Sequence, residues 1–549
     1  MSSLQSHFER LFIVYASREN TQIQLNQLAE TLHISSRNTR HVINKLHALG
    51  WIKWDSRRGR GKHSLLTFLL TPDDIEANVN ADSQLKTGCK DNASLRSHKN
   101  FGTFFTQHGI DIKIPYYRSL DQLNPLLPQR RTERHLIRQC FSGLCKYDIF
   151  QGTVIPDMSH YWVKNDEKTE WHFYLKKNLR LSNGGFVTAS MVKQCISNAI
   201  TSPSGKSGLI NIKSVQVTGD HKISFFLKES CSYLPEILAG NAAKIFEFDN
   251  GKIISSGAFK IVEHDNDVLK IIKNEHYHSS QPMIDEISIF RVPTDNIKMS
   301  FIRLLSKNMS EELNQPGKRK LAQEGCFSII NAKGQLGDEK WRRFLNNILQ
   351  PVEILKQSGL SNDYSDALSF STGLLPGWNH RNVDFSSSRP FLSINHEINI
   401  VTYDQPELIG LANGIANILA KHGMSARATT IGYREFILMD FSSYDIIISN
   451  FMIDYEDISA YMMWLANDNT LQCLPENERR KLEPILQKSY NYAPQKFKED
   501  IESYFMNVTH ERWIIPLFHH WIDFESNSAF TWRDPHTLGW PDFSNLWIE

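Results

Sequence analysis

The sequence predicts a multidomain α/β protein in which a small, basic, mostly helical module precedes a much larger mixed body. Three observations predict it. At 549 residues, 41% of them hydrophobic, the chain exceeds what one ordinary core organises. Residues 1–70 hold ten Lys or Arg against four Asp or Glu, a balance of plus six in a chain whose net charge is +1, so the remainder carries minus five. The apolar pattern also changes, from helical spacing at the start to strand-then-helix segments beyond residue 110.

In the first module Phe8, Leu11, Phe12 and Tyr15 recur at helical spacing, then Leu25, Leu28, Ala29 and Leu32, then Val42, Ile43, Leu46 and Leu49. Gly50 stops the third helix. "WIKW" and "DSRRGRGKHSLLTFLL" read as two strands joined by a basic, glycine-containing turn. This order is that of a winged helix-turn-helix, whose third helix enters the major groove while the hairpin lies along the backbone.

The residue types suit those places. Ser35 or Ser36 can cap the third helix, and Arg37, Asn38, Arg40, His41, Asn44 and Lys45 lie on or beside its leading face. Arg and Asn make bidentate contacts with guanine and adenine. Arg57, Arg58, Arg60 and Lys62 are cations in the wing, spaced by Gly59 and Gly61 so that backbone can approach phosphate. The competing reading is a solvated charged face on a helical cap. A phosphate-cradling glycine loop is excluded, because "GRG" lacks the GxxxxGK[ST] spacing and a following helix.

Residues 71–109 turn polar and lose periodicity, which predicts a linker with a short helix near Phe101–Phe105. From residue 110 the body begins with a strand in "IDIKIPYY", a loop at Asn124 and Pro125, and a helix through Leu136 and Phe141. A strand alternating Trp171, Phe173 and Leu175 follows, then a turn at Gly184 and Gly185 and a helix capped by Thr188.

The chemistry of catalysis is missing from the pattern. The seven cysteines (Cys89, Cys140, Cys145, Cys195, Cys231, Cys326 and Cys473) include no CxxC pair and read as reduced thiols, mostly buried. No GxSxG elbow, HExxH pair or dinucleotide fingerprint is present, so the expectation is a protein that is not an enzyme and needs no cofactor or metal. The N-terminus lacks a basic n-region, and no run approaches the roughly 18 apolar residues of a membrane span, which predicts a cytoplasmic location.

Larger segments carry a resemblance. "VIPDMSHYWVKNDEKTEWHFYLKKNLRLSNGGFVTASMV", "SSGAFKIVEHDNDVLKIIKNEHYHSSQPMIDEISIFRVP" and "SYDIIISNFMIDYEDISAYMMWL" resemble landmarks of the oligopeptide- and nickel-type, family 5 extracellular solute-binding proteins. "IIPLFHHWIDFESNSAFTWRDPHTLGWPDFSNLW" and "TGLLPGWNH" resemble landmarks of the SgrR family of bacterial transcriptional regulators, in which a winged helix is fused to such a body. The resemblance implies a bilobal periplasmic-binding-protein-like domain over 110–549, with lobe I at roughly 110–291 and 506–549 and lobe II at roughly 292–505. It also implies a pocket at Asp454, Tyr455 and Phe451, with Trp378 of "LLPGWNH" lining the cleft. The alternatives are that Asp454 caps a helix and that these aromatic side chains are core. His519 and His520 read as structural, with room for one to reach the pocket.

The reading that follows is a cytoplasmic regulator that binds double-stranded promoter or operator DNA and senses a small-molecule effector, such as a sugar phosphate or peptide-like metabolite. If the resemblance is close, its role is activation under sugar-phosphate stress. The linker is expected to dock on a lobe or to join a homodimer interface. The rivals are a transport-associated solute-binding protein and a DNA-binding protein whose body serves only oligomerisation.

Neutralising Arg57, Arg58, Arg60 and Lys62 together is expected to weaken binding to all duplexes and to flatten the salt slope by about 1 per lost phosphate contact. Anisotropy titrations across a salt series check this, and an unchanged affinity removes the wing from the interface.

Overall fold

The computed structural model describes residues 3–15, 21–55, 63–70, 102–106, 109–148, 151–205, 209–291, 318–360, 368–381, 390, 394, 396–453, 461–462, 464–465, 468–490, 494–524 and 540–546. At the start, α1 (Ser3–Tyr15), α2 (Leu25–Leu32) and α3 (Ser36–Ala48) pack on a small antiparallel sheet of β1 (Thr21–Ile23), β2 (Ile52–Asp55) and β3 (Ser64–Phe68), ordered β1-β3-β2. The periodic residues Phe8, Leu11, Leu28, Leu32, Ile43 and Leu46 are buried there with Ile52 and Leu66. Phe8 meets Trp51 and Phe68 edge-on at 5.5 and 5.7 Å. His33, at φ +53, turns the chain out of α2, and the His33 and Ile34 N–H groups donate to the Glu30 and Ala29 carbonyls, each at 3.2 Å. β1 was not legible, because three residues are too few to show alternation. The wing tip, with Arg57, Arg58, Arg60 and Lys62, lies outside the described residues.

The body opens with a hairpin of β4 (Gly102–Thr106) on β5 (Gly109–Tyr116), so a strand stands where a short helix was expected near Phe101–Phe105. Thr103, Phe104 and Phe105 favour extended backbone, and β5 satisfies their main-chain groups. β6 (Cys145–Asp148) pairs with β7 (Thr153–Pro156). β8 (Ser159–Lys164), β9 (Glu170–Leu175), β10 (Ile212–Gly219) and β11 (Lys222–Leu227) make an antiparallel sheet ordered β10-β11-β9-β8, and the helix Ala189–Thr201 lies against it. Thr188 caps that helix, its Oγ1 accepting the Met191 N–H at 3.2 Å. After the hairpin of β12 (Glu247–Asp249) and β13 (Lys252–Ile254), β14 (Phe259–His264), β15 (Val268–Lys273) and β16 (Glu286–Arg291) complete a five-stranded sheet ordered β14-β15-β16-β5-β4, with β16 and β5 parallel.

The second lobe holds a seven-stranded sheet of β17 (Lys318–Leu321), β18 (Glu324–Ile330), β19 (Leu368–Phe370), β20 (Ile398–Tyr403), β21 (Ala426–Ile431), β22 (Ile446–Met452) and β23 (Ile514–Phe524). Its main path runs β17-β23-β18-β22-β20-β21, with β19 also on β23. β23 is a central strand of this sheet and the helix Pro494–His510 packs beside it, so residues 506–524 belong to the second lobe rather than to lobe I. Only 540–546 are described on the first lobe: Trp540 stacks on His135 at 5.6 Å and Phe543 meets it edge-on at 5.0 Å. Both join the core of Ile112, Leu136, Phe259, Ile271 and Ile287.

One glycine fixes a crossing in that first lobe. A Cβ on Gly257 would lie 2.5 Å from the Cys140 carbonyl carbon and the Phe141 nitrogen, both backbone atoms, while the Gly257 N–H donates to the Cys140 carbonyl at 2.8 Å. Gly257→Ala is therefore expected to destabilise the protein by about 1–3 kcal/mol. Urea denaturation monitored by tryptophan fluorescence checks it.

Candidate functional site

The winged helix presents one polar face. Ser35 Oγ accepts the Asn38 N–H at 3.4 Å and starts α3, and Ser36 Oγ donates to Asn26 Oδ1 at 3.3 Å. From there Thr39, Val42, Ile43 and Leu46 turn into the core, which leaves Arg37, Asn38, Arg40, His41, Asn44 and Lys45 exposed. Three cations and two amides on one accessible helix face, beginning at the N-terminus, can meet both phosphate oxygens and base edges.

The seam between the lobes is also polar. On one side stands the helix Arg131–Cys140 with the loop before it; on the other stand β18, β20, β22, β23 and the helix Pro406–Lys421. Arg130 Nη2 lies 2.5 Å from Asp404 Oδ1, and its guanidinium sits over the rings of Tyr433 and Tyr403 at 4.9 and 5.8 Å. Arg131 Nη1 reaches Glu324 Oε2 at 3.4 Å, and the Tyr433 hydroxyl donates to the Gln129 carbonyl at 3.1 Å. These five contacts all cross from one lobe to the other.

Behind them runs a buried relay. Burial pushes the Tyr403 hydroxyl well up, so it stays protonated and donates to Asn450 Oδ1. Asn450 Nδ2 donates in turn to Glu324 Oε1 at 2.5 Å. Glu324, its side chain 5% exposed, faces His520 Nδ1 at 3.5 Å, and His520 Nε2 faces Glu407 Oε1 at the same distance. Burial alone would lower the His520 pKa, but Glu324 and Glu407 together raise it well above its ordinary value. Burial likewise opposes ionisation of Glu407, yet His520 and the Gln405 amide hold its carboxyl below the usual range. Cys326 lies 3.9 Å from His520, and burial pushes its thiol up, so it is no nucleophile at neutral pH. Among the described residues no group of three or more His, Cys, Asp and Glu is placed to hold a metal ion.

The residues expected at the pocket are distributed otherwise. Asp454 and Tyr455 lie outside the described residues. Phe451 is buried and stacks on Trp464 at 3.9 Å, Trp464 stacks on Phe505 at 4.9 Å, and Trp378 packs on Phe505 at 6.3 Å. Phe451 and Trp378 are thus part of a core of stacked rings here, which is the alternative the sequence left open. His519 is structural, held between Ser371 Oγ at 2.7 Å and the Glu324 carbonyl at 2.8 Å, whereas His520 enters the seam. Glu324, Glu407, Arg130, Arg131, Tyr403 and Asn450 escaped the sequence reading. The one local signal was Glu324, the only charge in the strand "EGCFSII", which it opens.

Comparison with known proteins finds two matched regions. Residues 3–96 match the family described as sugar transport-related sRNA regulator N-term, and residues 153–302 match the bacterial extracellular solute-binding proteins, family 5 middle. The body has a solute-binding fold: NikA from Brucella suis in complex with Fe(III)-EDTA superposes with TM-score 0.61 at 14% identity, over 80% of this chain and 100% of its own. The Escherichia coli murein tripeptide binding protein MppA does so with TM-score 0.63 at 13% identity, over 81% of this chain and 99% of its own. The chain is therefore a helix-turn-helix module joined to a solute-binding-type body. Across its whole length it is similar to the HTH-type transcriptional regulators SgrR of Yersinia pestis and Photorhabdus laumondii, at 25% and 24% identity, each over 100% of this chain and 99% of the relative.

The relay makes a prediction. His520→Ala leaves Glu324 and Glu407 buried without their shared cation and is expected to cost about 3–5 kcal/mol. Because the His520 pKa is raised on folding, its contribution is full below an ordinary pKa of about 6.5 and is lost only as pH rises through the higher folded value. Denaturation of wild type and variant at acidic and neutral pH should show a loss of similar size at both.

Proposed function

We propose that this protein is a cytoplasmic transcriptional regulator that reads duplex DNA with α3 and holds a small-molecule effector between its lobes. The observation that carries the reading is the Ser35-capped helix whose Arg37, Asn38, Arg40, His41, Asn44 and Lys45 remain exposed in the assembled chain. A DNA-reading face is useful only where DNA is, which supports the cytoplasm. The effector reading is supported by the polar seam, since ligands of two-lobed proteins settle at domain interfaces. Arg130, Arg131 and Arg434 gather there with Asp404, Glu324 and Asp121, a setting suited to a ligand with anionic and hydrogen-bonding groups. A sugar phosphate fits that description, as does a peptide-like metabolite, and the sugar transport-related description of the matched N-terminal family favours the former. Activation under sugar-phosphate stress is the physiological role in this reading. Native mass spectrometry of protein purified from its host tests it: a retained small molecule supports a sensor, and none across growth conditions favours a scaffold.

Arg37→Ala, Asn38→Ala or Arg40→Ala is each expected to cost roughly 1–3 kcal/mol on a duplex selected by the wild type, with less change on random duplex. Equal loss on both, measured by anisotropy, assigns the residue to phosphate contact instead of base reading.

A further inference from the structure

A free-standing winged helix would leave the polar residues of α1 in water. Here Glu9 and Arg10 are only 2% and 6% exposed. Arg10 Nη1 donates to Asp267 Oδ2 at 3.2 Å, across 257 residues of sequence, and the Arg10 side chain is 8% exposed. Asp267 stands in the tight turn between β14 and β15, where the Asp267 and Val268 N–H groups both donate to Asp265 Oδ1 at 2.8 Å. The Asp267 carbonyl accepts the Arg291 N–H at 2.8 Å, and Asp267 Oδ1 lies 4.0 Å from Arg291 Nη1. One carboxylate is therefore shared by a guanidinium of the winged helix and one of the first lobe.

His7 and His33 lie in the same field. Burial holds both imidazoles below their ordinary range, with the Arg10 charge adding to this at His7 and the Arg291 charge at His33. His33 closes α2 and stands two residues before Ser35, the cap of α3. The charge cluster is thus felt at the turn before the recognition helix, while Arg37, Asn38, Arg40, His41, Asn44 and Lys45 stay exposed. Arg291 ends β16, and the chain next met is β17 of the second lobe.

We propose that the Arg10–Asp267 ion pair docks the winged helix on the first lobe and is the contact through which the body orients the recognition helix. The second half of this rests on the DNA-reading role proposed above. A linker of about thirty residues transmits little orientation unless something docks, and this pair, largely shielded from water, supplies the docking. Because Asp267 has two cations to choose between, the state of the lobes alters how firmly Arg10 is held.

The test is a double-mutant cycle in the full-length protein with Arg10→Gln, Asp267→Asn and both together, read by hydrogen exchange of residues 7–15 and 265–268. Each single substitution should speed exchange in both segments by about tenfold, and the double should exchange no faster than either single. Arg10→Lys, which keeps the cation, should retain most of the protection. Unchanged exchange in Asp267→Asn, or additive effects in the double, overturns the docking, and the Asp267→Asn arm decides alone if Arg10→Gln unfolds the winged helix. Anisotropy on a duplex selected by the wild type then reads the coupling, with a loss of about threefold to tenfold in affinity expected for the undocked variants. Exchange that responds while affinity stays within twofold overturns the coupling. Absence of duplex binding by the wild type itself sinks the regulator reading and the coupling with it, and leaves the docking to be judged by exchange.

Discussion

A cation buried between two carboxylates governs the seam on which the two lobes meet. With Glu324 on β18, Glu407 in the first turn of the helix after β20, and His520 on β23, the charge balance requires three separate pieces of the second lobe to be in register at once. Arg131 then extends the same balance to the first lobe. Two anions removed from water are tolerable only where a cation stays beside them, so this part of the seam is held by electrostatics as much as by packing. The neighbouring Arg130, clasped by Asp404 and two tyrosine rings, adds a second crossing of the same kind.

The winged helix obeys the same economy of charge in a different way. Among the described residues its apolar side chains, with Phe8, Leu28, Ile43 and Leu66, form a core of their own, separate from the cores of the body. Its basic α3 face is left in water, and the Asp267 carboxylate meets it on a different surface, the polar flank of α1. Attraction through one shared anion is selective in orientation and modest in strength, which suits a module that must be held in place and also released.

Local physics made the N-terminal module and much of the first lobe legible. Helical spacing of Leu25, Leu28 and Leu32, the capping serine at 35 and the glycine stop at 50 are rules of the nearest few residues, and the alternation of Trp171, Phe173 and Leu175 is another. The strand at Gly102–Thr106 was misread as a short helix because its evidence lies in its partner β5. The seam was harder still. Arg131, Glu324, Glu407 and His520 are separated by long stretches of chain, and Arg131 and Glu407 each alone look like an ordinary surface charge. The ring stack of Phe451, Trp464 and Phe505 misled in the other direction, since an aromatic at a family landmark can equally be core.

Trp540 and Phe543 close over His135 in the first lobe, although that lobe's strands were completed at β16. This imposes an order on the nascent chain. The winged helix has all its core residues once β3 is made, but the first lobe cannot finish its core until the whole second lobe has been synthesised. A growing polypeptide therefore carries a finished DNA-reading module attached to an unfinished platform. Truncated products would retain the module and lose the lobe's last hydrophobic cover, so degradation of such fragments would matter more to the cell than for a protein whose domains finish in sequence.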